Sequence, residues 1–302
     1  MTGDRHDPGA DAATDAFVAH RNLLFTVAYE LLGSAADAED VLQETWLRWV
    51  TVDLAGVRDQ RAYLVRITTR QALNRLRTVK RRREAYVGPW LPEPLLTTPD
   101  VAEDVELAES VSMALLLVLE TLSPTERAVF VLREAFDVGY DEIAAAVDKS
   151  PAAVRQIAHR ARQHVEARRP RQVVSPGEAR AVLASFQRAL ETRDLQGLLD
   201  VLAPDVVLVG DGGGVKQAVP RPVASAGKVA RMFLGGLGKV DGLITTGPAM
   251  VNGSPALVVH LDGELDGVLA ARVEDGRISG LYYVRNPQKL THVGTETSLS
   301  LR

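Results

Sequence analysis

The stretch from Gly139 to Val165, GYDEIAAAVDKSPAAVRQIAHRARQHV, leaves few folds open to the chain that carries it. A short helical run with Ile143, Ala144 and Val147 on one side breaks at Asp148-Lys149. Ser150 then stands as a cap before Pro151, and a second helix gathers Val154, Ile157, Ala158 and Ala161 on one face. The other face displays Arg155, Gln156, His159, Arg160 and Arg162. Two helices joined by so tight a turn form a helix-turn-helix, whose second helix enters the major groove by its first turns. Arg155 and Gln156 suit base edges because both bond bidentately, whereas Lys149, Arg160 and Arg168 suit phosphates, and Ser150 lies at the same end. A helical hairpin with a solvated basic face is the plainer alternative.

A net charge of −4 and a pI near 5.9 give no hint of nucleic acid, but the average hides a partition. Eight basic residues and no acidic one lie between Arg66 and Arg83: Arg66, Arg70, Arg75, Arg77, Lys80, Arg81, Arg82 and Arg83. From Glu84 to Glu126 there are nine carboxylates and no Lys or Arg. The local field decides what a surface attracts. The basic run lies on an amphipathic helix with Thr69, Gln71 and Asn74 interleaved, which favours phosphate contact over mere solvation. Upstream, Asp37, Asp40 and Glu44 are spaced three and four apart and share a helix face, beside a stripe holding Trp46 and Trp49. Such a face is wrong for DNA and right for a basic protein helix; a solvated face on a core helix is the alternative.

Periodicity and punctuation divide the chain. Residues 1–14 are polar and acidic and are expected to form a disordered lead-in; residues 15–85 read as helices, with Gly33-Ser34 breaking the first from the second. Residues 86–105 form a proline-rich acidic linker, in which Pro89, Pro92, Pro94 and Pro99 favour an extended connection. Residues 106–170 are again helical, with a capping signature at Ser123-Pro124-Thr125-Glu126. Residues 175–295 change character: one helix, then strand-like runs at Val206–Val209, Ala256–Leu261, Val268–Val273 and Ile278–Val284, the last two joined by Asp275-Gly276. Residues 296–302 are expected to be a loose tail. Absence of cysteine excludes disulfides and thiolate sites, and no apolar run is long enough to span a bilayer, which leads to a cytoplasmic expectation.

DAEDVLQETW, then AYLVRITTRQALNRLR, then LSPTERAVFVLRE and the helix-turn-helix resemble, in that order, an extracytoplasmic-function (ECF) sigma factor of bacterial RNA polymerase. The resemblance implies core polymerase and promoter DNA as partners and no catalytic activity. It implies that Asp37, Asp40, Glu44 and Trp46 contact the polymerase clamp. Tyr63, Arg66, Arg70, Asn74, Arg75, Arg77, Lys80 and Arg81 would read the −10 element. Lys149, Ser150, Arg155, Gln156, His159, Arg160 and Arg162 would serve the −35 element. The remainder is similar to the subtype with a fused SnoaL-like domain of NTF2-like fold, on three stretches: Trp90-Leu91-Pro92-Glu93-Pro94-Leu95, Asp211-Gly212-Gly213-Gly214 and Asn286-Pro287-Gln288-Lys289-Leu290. The fold class implied is multidomain, two all-α modules followed by an α+β cone. The three stretches would form a regulatory interface, Trp90 to Pro94 meeting the DGGG loop and Asn286, Pro287, Lys289 and Leu290. The family commonly has Asp where Gln288 stands, and Lys216 is one place off its basic residue.

Some relatives of that fold are isomerases or cyclases, for which Asp211 and His260 are the candidate bases. No paired acid–base set or metal spacing accompanies them, and His159 and His164 are wrongly spaced to share a metal. No cofactor is expected, and an unidentified small molecule is a candidate ligand for the cone. The rival functions are a polymerase-independent DNA-binding regulator and a SnoaL-like isomerase or hydrolase fused to a DNA-binding module.

Overall fold

The computed structural model describes residues 8–98, 104–168, 174–238 and 241–301. They fall into two compact units. The first takes in the described residues up to Arg81, then Glu120–Ala167 and Leu299 onward; the second takes in Arg82–Leu119 and Arg168–Ser298 as far as described.

The first unit is all helical: α1 (Pro8–Leu32), α2 (Ala35–Trp49), most of α3 (Gln60–Glu84), then α6 (Pro124–Glu134), α7 (Tyr140–Val147) and α8 (Pro151–Glu166). Ser34 caps α2 by accepting from the Asp37 amide, and the expected capping box forms at Ser123 and Glu126. Helix α1 begins at Pro8, so the expected lead-in is helical over its described part. Alanines favour that conformation, and Ala13 is buried, its carbonyl accepting from Trp49 Nε1 at 2.8 Å. Residues 1–7 lie outside the described residues. The expected tail is also anchored: Leu299 is buried and the Ser300 amide donates to Thr26 Oγ1 at 3.1 Å.

In the second unit a six-stranded mixed sheet runs in the order β2-β1-β6-β5-β4-β3. Its strands are β1 (Leu202–Asp211), β2 (Val223–Ala224), β3 (Ile244–Val251), β4 (Ser254–Leu261), β5 (Glu264–Glu274) and β6 (Arg277–Val284); β1 and β6 are parallel and the other pairs antiparallel. Helices α9 (Pro176–Glu191), α10 (Leu195–Val201) and α11 (Ala226–Leu237) cover one side, burying Leu183, Phe186 and Leu198 with Leu208, Leu257 and Leu281. A second apolar cluster joins Val251, Ala256, Val268 and Val284 to Leu91, Met113 and Leu290. Leu91 and Leu95 are fully buried, and α4 (Val105–Ser110) and α5 (Met113–Leu119) belong to this unit. Over its described residues up to Thr98 the linker is therefore extended but packed, and the residues from Val105 to Leu119 fall in the same compact unit. Apolar spacing shows that a helix buries a face without saying against what.

Candidate functional site

Helix α8 is set by its start. Asp148 takes the left-handed conformation (φ 56°), Ser150 Oγ accepts from the Ala153 amide at 3.2 Å, and Pro151 opens the helix. Burial of Val154, Ala158, Ala161 and Val165 turns Lys149, Ser150, Arg155, Gln156, His159 and Arg160 to solvent. Arg162 departs from that set: its guanidinium is fixed on Glu134 by bonds of 2.6 and 3.2 Å. The exposed side chains offer bidentate and cationic donors over the first turns of the helix, the geometry of a major-groove reader.

The basic helix α3 is different. Arg75 reaches over α2 and pairs with Asp37 (Nε to Oδ1 2.6 Å), Asp40 and Glu44 (3.7 Å), so one expected DNA contact neutralises part of the expected polymerase contact. Arg66 stacks its guanidinium 4.6 Å from the Tyr63 ring, and Arg70 donates to the Ala145 carbonyl in α7 at 2.6 Å. Asn74 and Arg77 are exposed and bonded to each other at 3.3 Å. Thr69 and Gln71 are buried and cannot meet phosphate, and the side chains of Lys80 and Arg81 lie outside the described residues. Trp46 is half-buried against Phe17, while Trp49 is fully buried beside Tyr63. Leu47, absent from the expected set, is 66% exposed three residues after Glu44 and seven after Asp40. Helical arithmetic alone places it on the acidic face. Also unexpected is Arg127 of α6, buried at 2% exposure. It donates to the Glu30 carbonyl of α1 at 2.9 and 2.7 Å and pairs with Glu120.

In the second unit the three expected stretches meet on Asp211, which is fully buried. Its Oδ1 accepts from Tyr86 Oη (2.6 Å) and the Gly213 amide (3.0 Å); its Oδ2 accepts from the Leu91 amide (2.9 Å) and Lys289 Nζ (2.7 Å). Lys289 also donates to the Leu91 carbonyl at 2.5 Å and lies 4.2 Å from the Trp90 ring. Burial draws its ammonium down to about 8, against the attraction of Asp211. Asn286 donates to Tyr86 Oη at 2.7 Å. The glycines are required here: a Cβ on Gly212 would lie 2.0 Å from the Lys216 carbonyl oxygen, and one on Gly213 (φ 61°) 2.3 Å from Asn286 Nδ2. Pro92, Glu93, Pro94 and Leu290 are buried, and Pro287 is exposed at the start of a short 3-10 turn. Tyr86 was not foreseen, nor was Asn252, whose Oδ1 accepts from the Leu95 amide at 3.0 Å and whose Nδ2 donates to Val111 O at 2.9 Å. Asn252-Gly253 reads in sequence as a hairpin turn, which marks the bend but not its partner.

The enzymatic candidates do not come together. All four bonds to Asp211 are structural, and neither Asp211 nor His260 lines the large cavity of this unit. Among the described residues no cluster of three His, Cys, Asp or Glu suits a metal ion, and no helix is long and apolar enough to cross a membrane.

The family profiles for Sigma-70 region 2 and Sigma-70, region 4 match residues 16–82 and 112–165. The ECF RNA polymerase sigma factor SigJ of Mycobacterium tuberculosis is 38% identical over 289 residues, covering 91% of this chain and 92% of its own. This chain belongs to the ECF family of RNA polymerase sigma factors. As a member it binds core RNA polymerase and promoter DNA and directs transcription initiation, as a transcription factor and not an enzyme. A probable ECF sigma factor, SigI, of the same organism is 32% identical over 97% of this chain and 98% of its own. The crystal structure of M. tuberculosis SigJ superposes with a TM-score of 0.74 at 34% identity, over 92% of this chain and 98% of that one. The α+β domain of this sigma factor is therefore part of an architecture shared with that relative.

Proposed function

We propose that α8 of this sigma factor reads the −35 element through Arg155, Gln156 and His159, with Lys149 and Arg160 on phosphates, and that α3 reads the −10 element. In this reading Asp40, Glu44 and Leu47 dock on the polymerase clamp in the cytoplasm. The α+β domain then acts as a built-in regulator that holds the linker, and with it the chain between the two DNA-reading modules. The observation that carries the regulatory part is Asp211, where one buried carboxylate takes bonds from the linker at Tyr86 and Leu91 and from Lys289. Removing one partner of such a buried pair strands the others, at a cost of about 3–5 kcal/mol.

The test is transcription in vitro with core polymerase and a cognate promoter, comparing the full chain with Asp211→Ala and Lys289→Ala. Both variants are expected to shift transcript yield in the same direction while −35 duplex binding stays unchanged. Equal yields from all three proteins would remove the domain from regulation. Point variants are preferable to truncation at residue 170, which would strip Leu91 and Met113 of the sheet they pack on and Leu95 of its bonds to Asn252. A polymerase-independent regulator would bind DNA in the same way, and start-site selection would not depend on it.

A further inference from the structure

A cavity of about 610 Å³ lies between the sheet and helices α9 and α11. Its size is in the range of small-molecule sites, which run from about 300 to 1,000 Å³. Most of the wall is apolar, from Leu208, Met232, Phe233, Leu257, Val259 and Leu269, and Asp266, Tyr283 and Arg285 lie together in the wall. Asp266 is 5% exposed and its carboxylate is saturated. Arg285 donates to both oxygens at 2.9 Å, Lys216 to Oδ1 at 3.0 Å and the Tyr283 hydroxyl to Oδ2 at 3.1 Å. Burial pushes this carboxyl up, and the bonds from Arg285 and Lys216 outweigh it, so Asp266 lies below the ordinary aspartate value and stays ionised. With four bonds to its oxygens it is ill placed to act as a general base.

Two cations share that one anion, so the polar end of the cavity carries a positive charge in excess. Arg285 spends three N–H groups on Asp266 and, at 2.6 Å, on the Gln217 carbonyl, out of five that a guanidinium has. Arg231 adds a further charge at the wall. We propose that this cavity is a binding site for an amphipathic small molecule, an apolar body carrying one anionic group, with the anion held by Arg285 and Arg231, the two basic residues of its wall. The segments of Arg285 and Lys216 also serve the linker: the Arg285 amide donates to the Asp211 carbonyl at 2.7 Å, and the Lys216 amide to the Gly212 carbonyl at 3.0 Å. Occupancy would therefore bear on linker docking, a coupling that rests on the regulatory reading above and requires unequal binding to the docked and released forms.

The full chain is titrated with 1-anilinonaphthalene-8-sulfonate, an apolar anion, and with its uncharged counterpart N-phenyl-1-naphthylamine, by fluorescence. One saturable site is expected, with the anion bound about tenfold more tightly, the worth of a charge-assisted hydrogen bond. Val259→Trp, which fills the cavity, should abolish binding. Arg231→Gln, on the exposed rim, should weaken the anion several-fold and leave the neutral probe unaffected. Arg285→Gln should do so more strongly while retaining a cooperative melt. Equal affinity for the two probes, or binding that survives Val259→Trp, overturns the site. Hydrogen exchange separates the coupling from the docking it rests on. A Leu91 amide without protection in the unliganded chain would overturn the docking, and protection that the bound anion leaves unchanged would overturn the coupling.

Discussion

Helices α3 and α8 are both basic, and both are expected to face promoter DNA, yet they differ in what their charges already hold. On α8, Arg155, Gln156, His159 and Arg160 stand in solvent on a helix fixed from beneath by Val154 and Ala158. On α3, Arg66 lies on Tyr63, Arg70 on the Ala145 carbonyl and Arg75 on three carboxylates. Arg70 and Arg75 cannot keep these bonds and also grip DNA with the same donors. The basic face of α8 stands open and that of α3 is held, so counting basic residues locates a charged surface without saying whether it is available.

The largest effect is expected at Arg127, in the unit that carries both helices. Replacing it with Ala leaves Glu120 without its buried partner and the Glu30 carbonyl without two donors, at a cost of about 3–5 kcal/mol. Faster exchange of α1 and α6 amides should report it, and unchanged exchange would mean that this contact does not hold the unit together. Next comes Arg155→Ala, expected to cost about 1–3 kcal/mol at one position of the −35 element and to relax specificity there. Equal loss on every sequence would reduce Arg155 to a phosphate contact.

Asp40→Ala with Glu44→Ala should weaken association with core polymerase by about 1 kcal/mol per exposed pair lost, read as a lower affinity in a pull-down titration. The same variant leaves Arg75 held by Asp37 alone, so binding of single-stranded −10 DNA should rise slightly as polymerase affinity falls. If neither moves, α2 is not the docking face. The smallest effect is on pH. Burial depresses Lys289 to about 8 from the ordinary lysine value, so holding it charged costs free energy that is fully present below pH 8. That cost is relieved as pH rises from about 8 towards the ordinary lysine value. Protection of the Leu91 amide should therefore increase over that window, after correction for intrinsic exchange.

Local signals in the sequence carried most of what is local in the structure. Caps at Ser123 and Ser150, the turn at Asp148 and the Asp275-Gly276 hairpin follow from chemistry within a few residues. Strand β3 escaped notice because Gly247 and Pro248 interrupt its pattern, which an edge strand tolerates. The destination of Leu91 and Met113 was out of reach for another reason: apolar residues announce that they will be buried, and their partners lie more than a hundred residues away. The pairing of Arg75 with Asp37 and Asp40 is also non-local, spanning 38 and 35 positions. The resemblance joined WLPEPL to the DGGG and NPQKL loops, but neither Tyr86 nor Asn252 is contained in those motifs.

The unequal readiness of the two helices is tested most directly by binding, without polymerase, of a −35 duplex and a single-stranded −10 oligonucleotide to the wild type and to a variant with Asp37, Asp40 and Glu44, the partners of Arg75, all replaced by Ala. The −35 duplex should bind both proteins alike, and the −10 strand should bind the variant at least several-fold more tightly than the wild type. Wild-type protein that binds the −10 strand as tightly as the variant would show that α3 is not held, and would contradict the account.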